Sequence, residues 1–236
     1  MGENWFAPEE LVEMSRPTME RAIEALEEDR IDDAKELCAE MRHEWRFLHD
    51  AMAEMMLGLI SFVQERLGDD GVAAAWKSTM ERGWKKDVSK ILSRDRRDIV
   101  KALAATWRAH STSGVGPEAG RFEIEEDEEK FTFRMNPCGS GQRLWKLGKY
   151  EGDDAYGVTE AAHGWSFDRE EFPLYCTHCA FMNEILPIRW YGTPAYPSEP
   201  PRDFDHDPCV WYWYKNSDDI PDEYWERHGL QRDQAG

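Results

Sequence analysis

Lys130-Phe131-Thr132-Phe133-Arg134-Met135 alternates apolar and polar side chains, and Phe122-Glu123-Ile124-Glu125-Glu126 does the same on the other side of an acidic turn. Successive strand residues point to opposite faces, so each arm has one face for a core and one for water. The two arms read as a hairpin. Val210-Trp211-Tyr212-Trp213-Tyr214 is a further strand on its aromatic and β-branched content, and Ile188-Arg189-Trp190-Tyr191 is expected to be another.

Upstream of this strand-forming text the pattern is helical. Up to about residue 110, Pro and Gly are sparse and apolar residues recur at spacings of three and four. Ile23 and Leu26, then Ala34, Leu37, Cys38 and Met41, give two amphipathic pieces around a turn at Asp29-Arg30. A longer helix with an apolar face of Trp45, Leu48, Ala51, Met55, Leu59 and Phe62 stops near Gly68-Asp69-Asp70-Gly71. Val72, Trp76 and Met80 make a further face, and Ser93 opens a helix with Ile99, Leu103 and Trp107 inward. The expected fold class is α+β: an N-terminal helical bundle (1–110) packed on a small C-terminal α+β unit (121–220) with a cysteine metal site. Between them, the small residues and breakers of 111–120 read as a loop. A polar tail, 221–236, has only Tyr224, Trp225 and Leu230 as large apolar side chains and is expected to fray.

Composition narrows the partners. The 236 residues carry 48 acidic and 29 basic side chains, a formal charge of −19, which offers no electrostatic footprint for nucleic acid or an anionic membrane. The longest apolar run, Met55 to Val63, is far short of a spanning helix, and the N-terminus lacks the basic-then-apolar order of a signal peptide. A soluble, cytoplasmic protein is expected, with a small-molecule substrate or a protein partner. Eleven Trp, ten Phe and eight Tyr exclude a disordered acidic chain.

Four of the five cysteines fall in the second half: Pro137-Cys138-Gly139-Ser140-Gly141, Tyr175-Cys176-Thr177-His178-Cys179 and Asp207-Pro208-Cys209. A Cys-x-x-Cys knuckle with two further thiolates on separate loops suits a tetrahedral site, so Cys138, Cys176, Cys179 and Cys209 are the expected metal ligands. Zinc is the first metal to test, and iron or an iron–sulfur centre also fits four thiolates. His163, His178 and His206 compete for a ligand position. Unliganded core thiols or a redox pair remain open, although no βαβ pattern precedes Cys176 as thioredoxin-like chemistry requires. Cys38, alone on its helix, reads as an inert buried thiol.

Around this cluster, His163 and Glu184 are placed to move protons at an open metal position. Arg143 is the candidate for orienting an anionic substrate, and His49, beside the helical stripe, is a candidate pocket residue. Glu40 and His43 form the Glu-x-x-His unit of di-iron bundles, but no second such unit exists in 1–110. The glycines of Cys138-Gly139-Ser140-Gly141 do not make a phosphate loop, because the Walker lysine is absent.

The run Trp45-Arg46-Phe47-Leu48-His49-Asp50, followed by Pro137-Cys138-Gly139-Ser140-Gly141-Gln142-Arg143-Leu144, Tyr175-Cys176-Thr177-His178-Cys179 and Asp207-Pro208-Cys209, resembles a family of uncharacterised bacterial proteins across most of the chain. That resemblance implies a bacterial, soluble protein whose cysteine motifs belong together, with no reaction attached. The layout is also similar, more faintly, to proteins labelled 2-amino-thiazoline-4-carboxylate hydrolase-like. The functional expectation is a zinc-thiolate protein performing metal-dependent hydrolysis on a small polar organic molecule. The alternatives are a structural zinc module for protein interaction, and thiol redox or sulfur transfer.

Overall fold

The computed structural model describes residues 5–93, 96–112 and 120–232. It is an α+β protein that divides into two compact units, Met1–His49 and Asp50–Gly236. The division falls between His49 and Asp50 and not at the small-residue stretch, of which 113–119 lie outside the described residues. The helical residues from Asp50 to Thr112 therefore share one unit with the sheet, where the sequence suggested a separate bundle over 1–110.

The first unit contains α1 (Pro8–Ser15), α2 (Thr18–Glu27) and the start of α3 (Ile31–Gly83). Asp29, in the left-handed region at φ 58°, makes the expected turn between α2 and α3. The apolar side chains buried in this unit are Ala22, Ala25 and Ala34, whereas Ile23 and Leu26 are exposed. Arg16 and Arg21 both pair with Glu13, and Thr18 donates to Glu44 at 2.7 Å.

In the second unit, α3 is broken at Gly68, whose φ of 66° and ψ of −171° leave the helical region where the sequence predicted a stop. Beyond Gly68, Val72, Trp76 and Met80 are buried as expected, but before it the core face differs from expectation: Ala53, Leu57 and Ile60 are buried, while Met55, Leu59 and Phe62 lie in solvent at 68, 64 and 53% exposure. Two apolar stripes compete on this helix, and the segment carrying Leu174, Ala180 and Leu186 packs against only one of them.

The four strands run β1 (Phe122–Glu126), β2 (Lys130–Met135), β3 (Ser198–Glu199) and β4 (Cys209–Tyr214), in the antiparallel order β1-β2-β4-β3. The predicted hairpin and the aromatic strand are both present. Phe133 pairs with Trp211 and Met135 with Cys209, so one sheet face gathers Phe133, Met135, Trp211 and Trp213. After α4 (Lys85–Ser93), the helix α5 (Arg96–Thr112) lays Trp107 edge-on against Phe133 and Trp211, at centroid distances of 4.3 and 4.7 Å. Such edge-to-face pairs add about 0.5–1.5 kcal/mol each beyond area burial.

Two sequence expectations are corrected here. Ile188–Tyr191 belongs to helix α8 (Leu186–Tyr191), which follows the short helices α6 (Gly141–Lys146) and α7 (Thr177–Cys179), and is not a strand. Pro187 suits the first turn of a helix, and Gly192 ends it in the left-handed conformation at φ 77°. The tail is packed as far as residue 232: Trp225 and Tyr224, on α9 (Glu223–Glu226), are 1% and 4% exposed against Ile188 and Ile220. Two aromatics at adjacent positions supply enough apolar area to hold a short polar segment down. Among the described residues no helix is long and apolar enough to cross a membrane.

Candidate functional site

The cysteine motifs meet because the sheet register brings them together. Cys209 opens β4 opposite Met135, and the chain leaving Met135 turns through the cis Asn136–Pro137 bond into Cys138. The turn is then fixed by contacts that admit only glycine. A Cβ on Gly139 would lie 1.8 Å from the His110 carbonyl oxygen, and one on Gly141 would lie 2.4 Å from the Cys176 sulfur. Gln142, 1% exposed, accepts from the Cys138 amide at 3.0 Å and donates to the Phe204 and Asp207 carbonyls at 2.9 and 2.7 Å. It ties the Cys138 turn to the loop that leads into Cys209.

The Cys-x-x-Cys knuckle spans a 3-10 turn (Leu174–Cys176) and the short helix α7 (Thr177–Cys179). Thr177 anchors it, accepting from Trp76 Nε1 at 2.9 Å and donating to the Leu174 carbonyl at 2.7 Å. The His178 ring bonds the Tyr175 carbonyl through Nδ1, which leaves Nε2 3.6 Å from the Cys179 sulfur. A π-helix (Ala180–Ile185) follows directly, a form that recurs at functional sites.

All four thiols line one cavity of about 30 Å³, room for an ion or one to two waters. Their ionisation is uneven. A hydrogen bond from Cys209, aided by the amides of Ser140, Gln142 and Gly141 and opposed by burial, lowers the Cys138 thiol to about 7. The same bond, with burial, pushes Cys209 well up. Burial and the nearby Cys138 charge raise Cys176 and Cys179, while burial depresses His178. The apoprotein cavity thus favours one thiolate among neutral thiols. Trp211 also lines it, and its buried indole N–H has no hydrogen-bond partner among the described residues.

The other predicted residues lie elsewhere. His163 bonds Asp69 at 2.8 Å and stacks on Trp165 at 4.4 Å. Glu184, fully buried, accepts from Arg227 at 2.6 and 2.9 Å, His228 at 2.7 Å and the Ser198 amide at 2.8 Å. Arg143 is paired with Asp50 at 2.9 Å, and His49 stacks on Trp45. None of these four lines the cavity. Cys38 is exposed and not buried, and His206 sits at the surface on Asp203. Among the described residues, no three His, Cys, Asp or Glu side chains are grouped as a metal shell.

Sequence reasoning missed a second polar pair at the cavity wall. Ser140 Oγ lies 2.5 Å from His110 Nε2, and His110 Nδ1 lies 3.1 Å from Ser111 Oγ. Thirty residues separate His110 from Ser140, and the close packing of the α5 terminus on Gly139 brings them together. An open groove of about 580 Å³ adjoins the cavity through Phe167, Pro200 and Pro201 and carries Arg169 and Arg202. No protein-family model, curated protein or solved structure matches the chain, so the resemblance rests on the quoted motifs alone.

Proposed function

We propose that the chain is a thiolate metalloprotein, with Cys138, Cys176, Cys179 and Cys209 as the donors and zinc as the first metal to test. The carrying observation is the convergence of four cysteines from three distant segments on one ion-sized cavity. The chemistry of the donors supports this reading, while the four sulfurs as they stand are not grouped as a metal shell among the described residues. Three backbone amides turn toward the Cys138 sulfur, and the absent side chain of Gly141 makes the space that Cys176 occupies. Amide N–H groups favour thiolate over thiol and orient it, as supporting contacts do around metal ligands.

With three of the thiolates bound and the fourth position open, such an ion would supply Lewis acidity and an acidified water, the basis of hydrolysis on a small polar molecule. His178 Nε2 and the His110–Ser140 pair are the proton acceptors at this wall, in place of His163 and Glu184. The adjoining groove, with Arg169 and Arg202, is the approach for a polar substrate.

The test is elemental analysis of freshly purified protein, followed by titration with a thiol-binding mercurial. About one zinc per chain is expected, released by about four equivalents from a closed four-thiolate site and by about three from a site with an open position. Unfolding on chelation would assign the ion a structural role, whereas a fold that survives would favour catalysis. A chain free of zinc and iron overturns the metal reading.

The Cys138–Cys209 contact favours a second reading, thiol–disulfide exchange. The Cys138 thiolate attacks one sulfur of a small disulfide and expels a thiolate. Deprotonated Cys209 then attacks the Cys138 sulfur, closing an internal disulfide and releasing the second thiolate. Release of two thiolates per chain from a small aromatic disulfide by metal-free protein, abolished in Cys138→Ser and stopped after one, with a mixed disulfide trapped, in Cys209→Ser, would support it.

A further inference from the structure

We propose that the exposed apolar stripe of α3 is the interface for a second copy of this chain, paired helix on helix. Met52, Met55, Met56, Leu59 and Phe62 are 58, 68, 41, 64 and 53% exposed, while Ala53, Leu57 and Ile60 of the same helix face the core. Single exposed apolar residues are ordinary, but a contiguous row along one helix marks an interaction site.

The spacing identifies the occupant. Leu48, Met52, Met55, Leu59 and Phe62 follow one another at alternating intervals of four and three residues. That 3.5-residue period is the seam of a coiled coil, and its complement is a helix with the same period. A second copy supplies one, and a two-fold axis makes one stripe self-complementary.

Charge and area agree. Ala51, Met56, Gly58 and Val63 flank the middle of the seam, so two chains of charge −19 meet there without apposing like charges. A basic partner would instead call for acidic flanks. Leu48 and the five residues from Met52 to Phe62 together expose roughly 650 Å², near the ~800 Å² per partner of a standard interface.

The experiment is light scattering coupled to gel filtration on the full chain over a concentration series, with covalent trapping alongside. The wild type is expected at twice the 27.6 kDa chain mass and to dissociate on dilution. Met55→Glu with Leu59→Glu should weaken association at least about 100-fold, the size of two buried unpaired charges, with far-UV circular dichroism unchanged. Met55 lies midway between Leu48 and Phe62, so parallel and antiparallel pairs both bring two copies of it together. In a Cys38→Ser background, Met55→Cys should therefore form a disulfide-linked dimer under mild oxidation, and exposed Lys77→Cys should not. A wild type at single-chain mass near 100 µM, a folded double variant that still dimerises, or equal trapping at both cysteines overturns the proposal.

Discussion

Replacing Glu184 by Gln separates a structural role for this residue from the proton-transfer role its sequence position suggested. The carboxylate is fully buried and receives four N–H groups: the Ser198 amide on Oε1, and Arg227 Nε, Arg227 Nη2 and His228 Nε2 on Oε2. Gln is isosteric but has one acceptor. With its oxygen toward Arg227 and His228, its NH₂ opposes the Ser198 N–H, and the reverse orientation opposes three donors. Either way, one buried donor is orphaned and the Arg227 guanidinium, 17% exposed, loses its buried counter-charge. Removing one partner of a buried ion pair costs about 3–5 kcal/mol. With a urea slope near 2 kcal/mol/M, the unfolding midpoint should fall by about 1.5 M or more. Glu199→Gln, on the same arginine but 45% exposed, should cost about 0–1 kcal/mol. Equal shifts for the two variants, or a Glu184→Gln shift under about 0.5 M, would refute the network argument.

Other consequences can be measured separately. Gly141→Ala puts a Cβ 2.4 Å from the Cys176 sulfur, so that thiol must rotate out of the cavity; a loss of about 1–3 kcal/mol in urea and reduced metal content are expected. In metal-free protein, the thiolate absorbance assigned by comparison with Cys138→Ser should appear around pH 7, and Cys209→Ala should move it upward. Because that thiol is lowered on folding, its contribution to stability is complete above the unfolded thiol range and is lost as pH falls through about 7. Burial pushes Asp69 up, but bonds from Gln64, His163 and the Ala161 and Glu160 amides outweigh it and hold the carboxyl below its ordinary value. Its contribution is therefore full at neutral pH and is lost in acid as pH falls through the depressed value. Asp69→Ala should cost about 1–3 kcal/mol at pH 7 and speed proteolysis between Val158 and His163.

Local pattern alone carried several elements. The alternation in Phe122–Glu126 and Lys130–Met135 specified the hairpin, and the aromatic run specified β4, because a period of two has one reading on a pleated strand. Gly68 marked the helix break, since its backbone angles are open only to glycine at ordinary cost. The Cys-x-x-Cys knuckle, Cys138 and Cys209, which the sequence marked as possible metal ligands, all line one cavity.

Elsewhere the pattern was ambiguous, and contacts distant in sequence decided. Helix α3 carries two apolar stripes, and periodicity could not choose which one Leu174, Ala180 and Leu186 would cover. Glu184 read as an acid–base group until Arg227 and His228, more than forty residues away, closed around it. His110 joined the cavity through the packing of the end of α5 on Gly139. The sequence by itself determined the hairpin and β4, the helical first half and the acidic charge, because each is written in neighbouring residues. Which helix face is buried, which acids are neutralised and which imidazoles reach the thiols were decided by tertiary structure, because burial and hydrogen bonding depend on groups the fold brings from far along the chain.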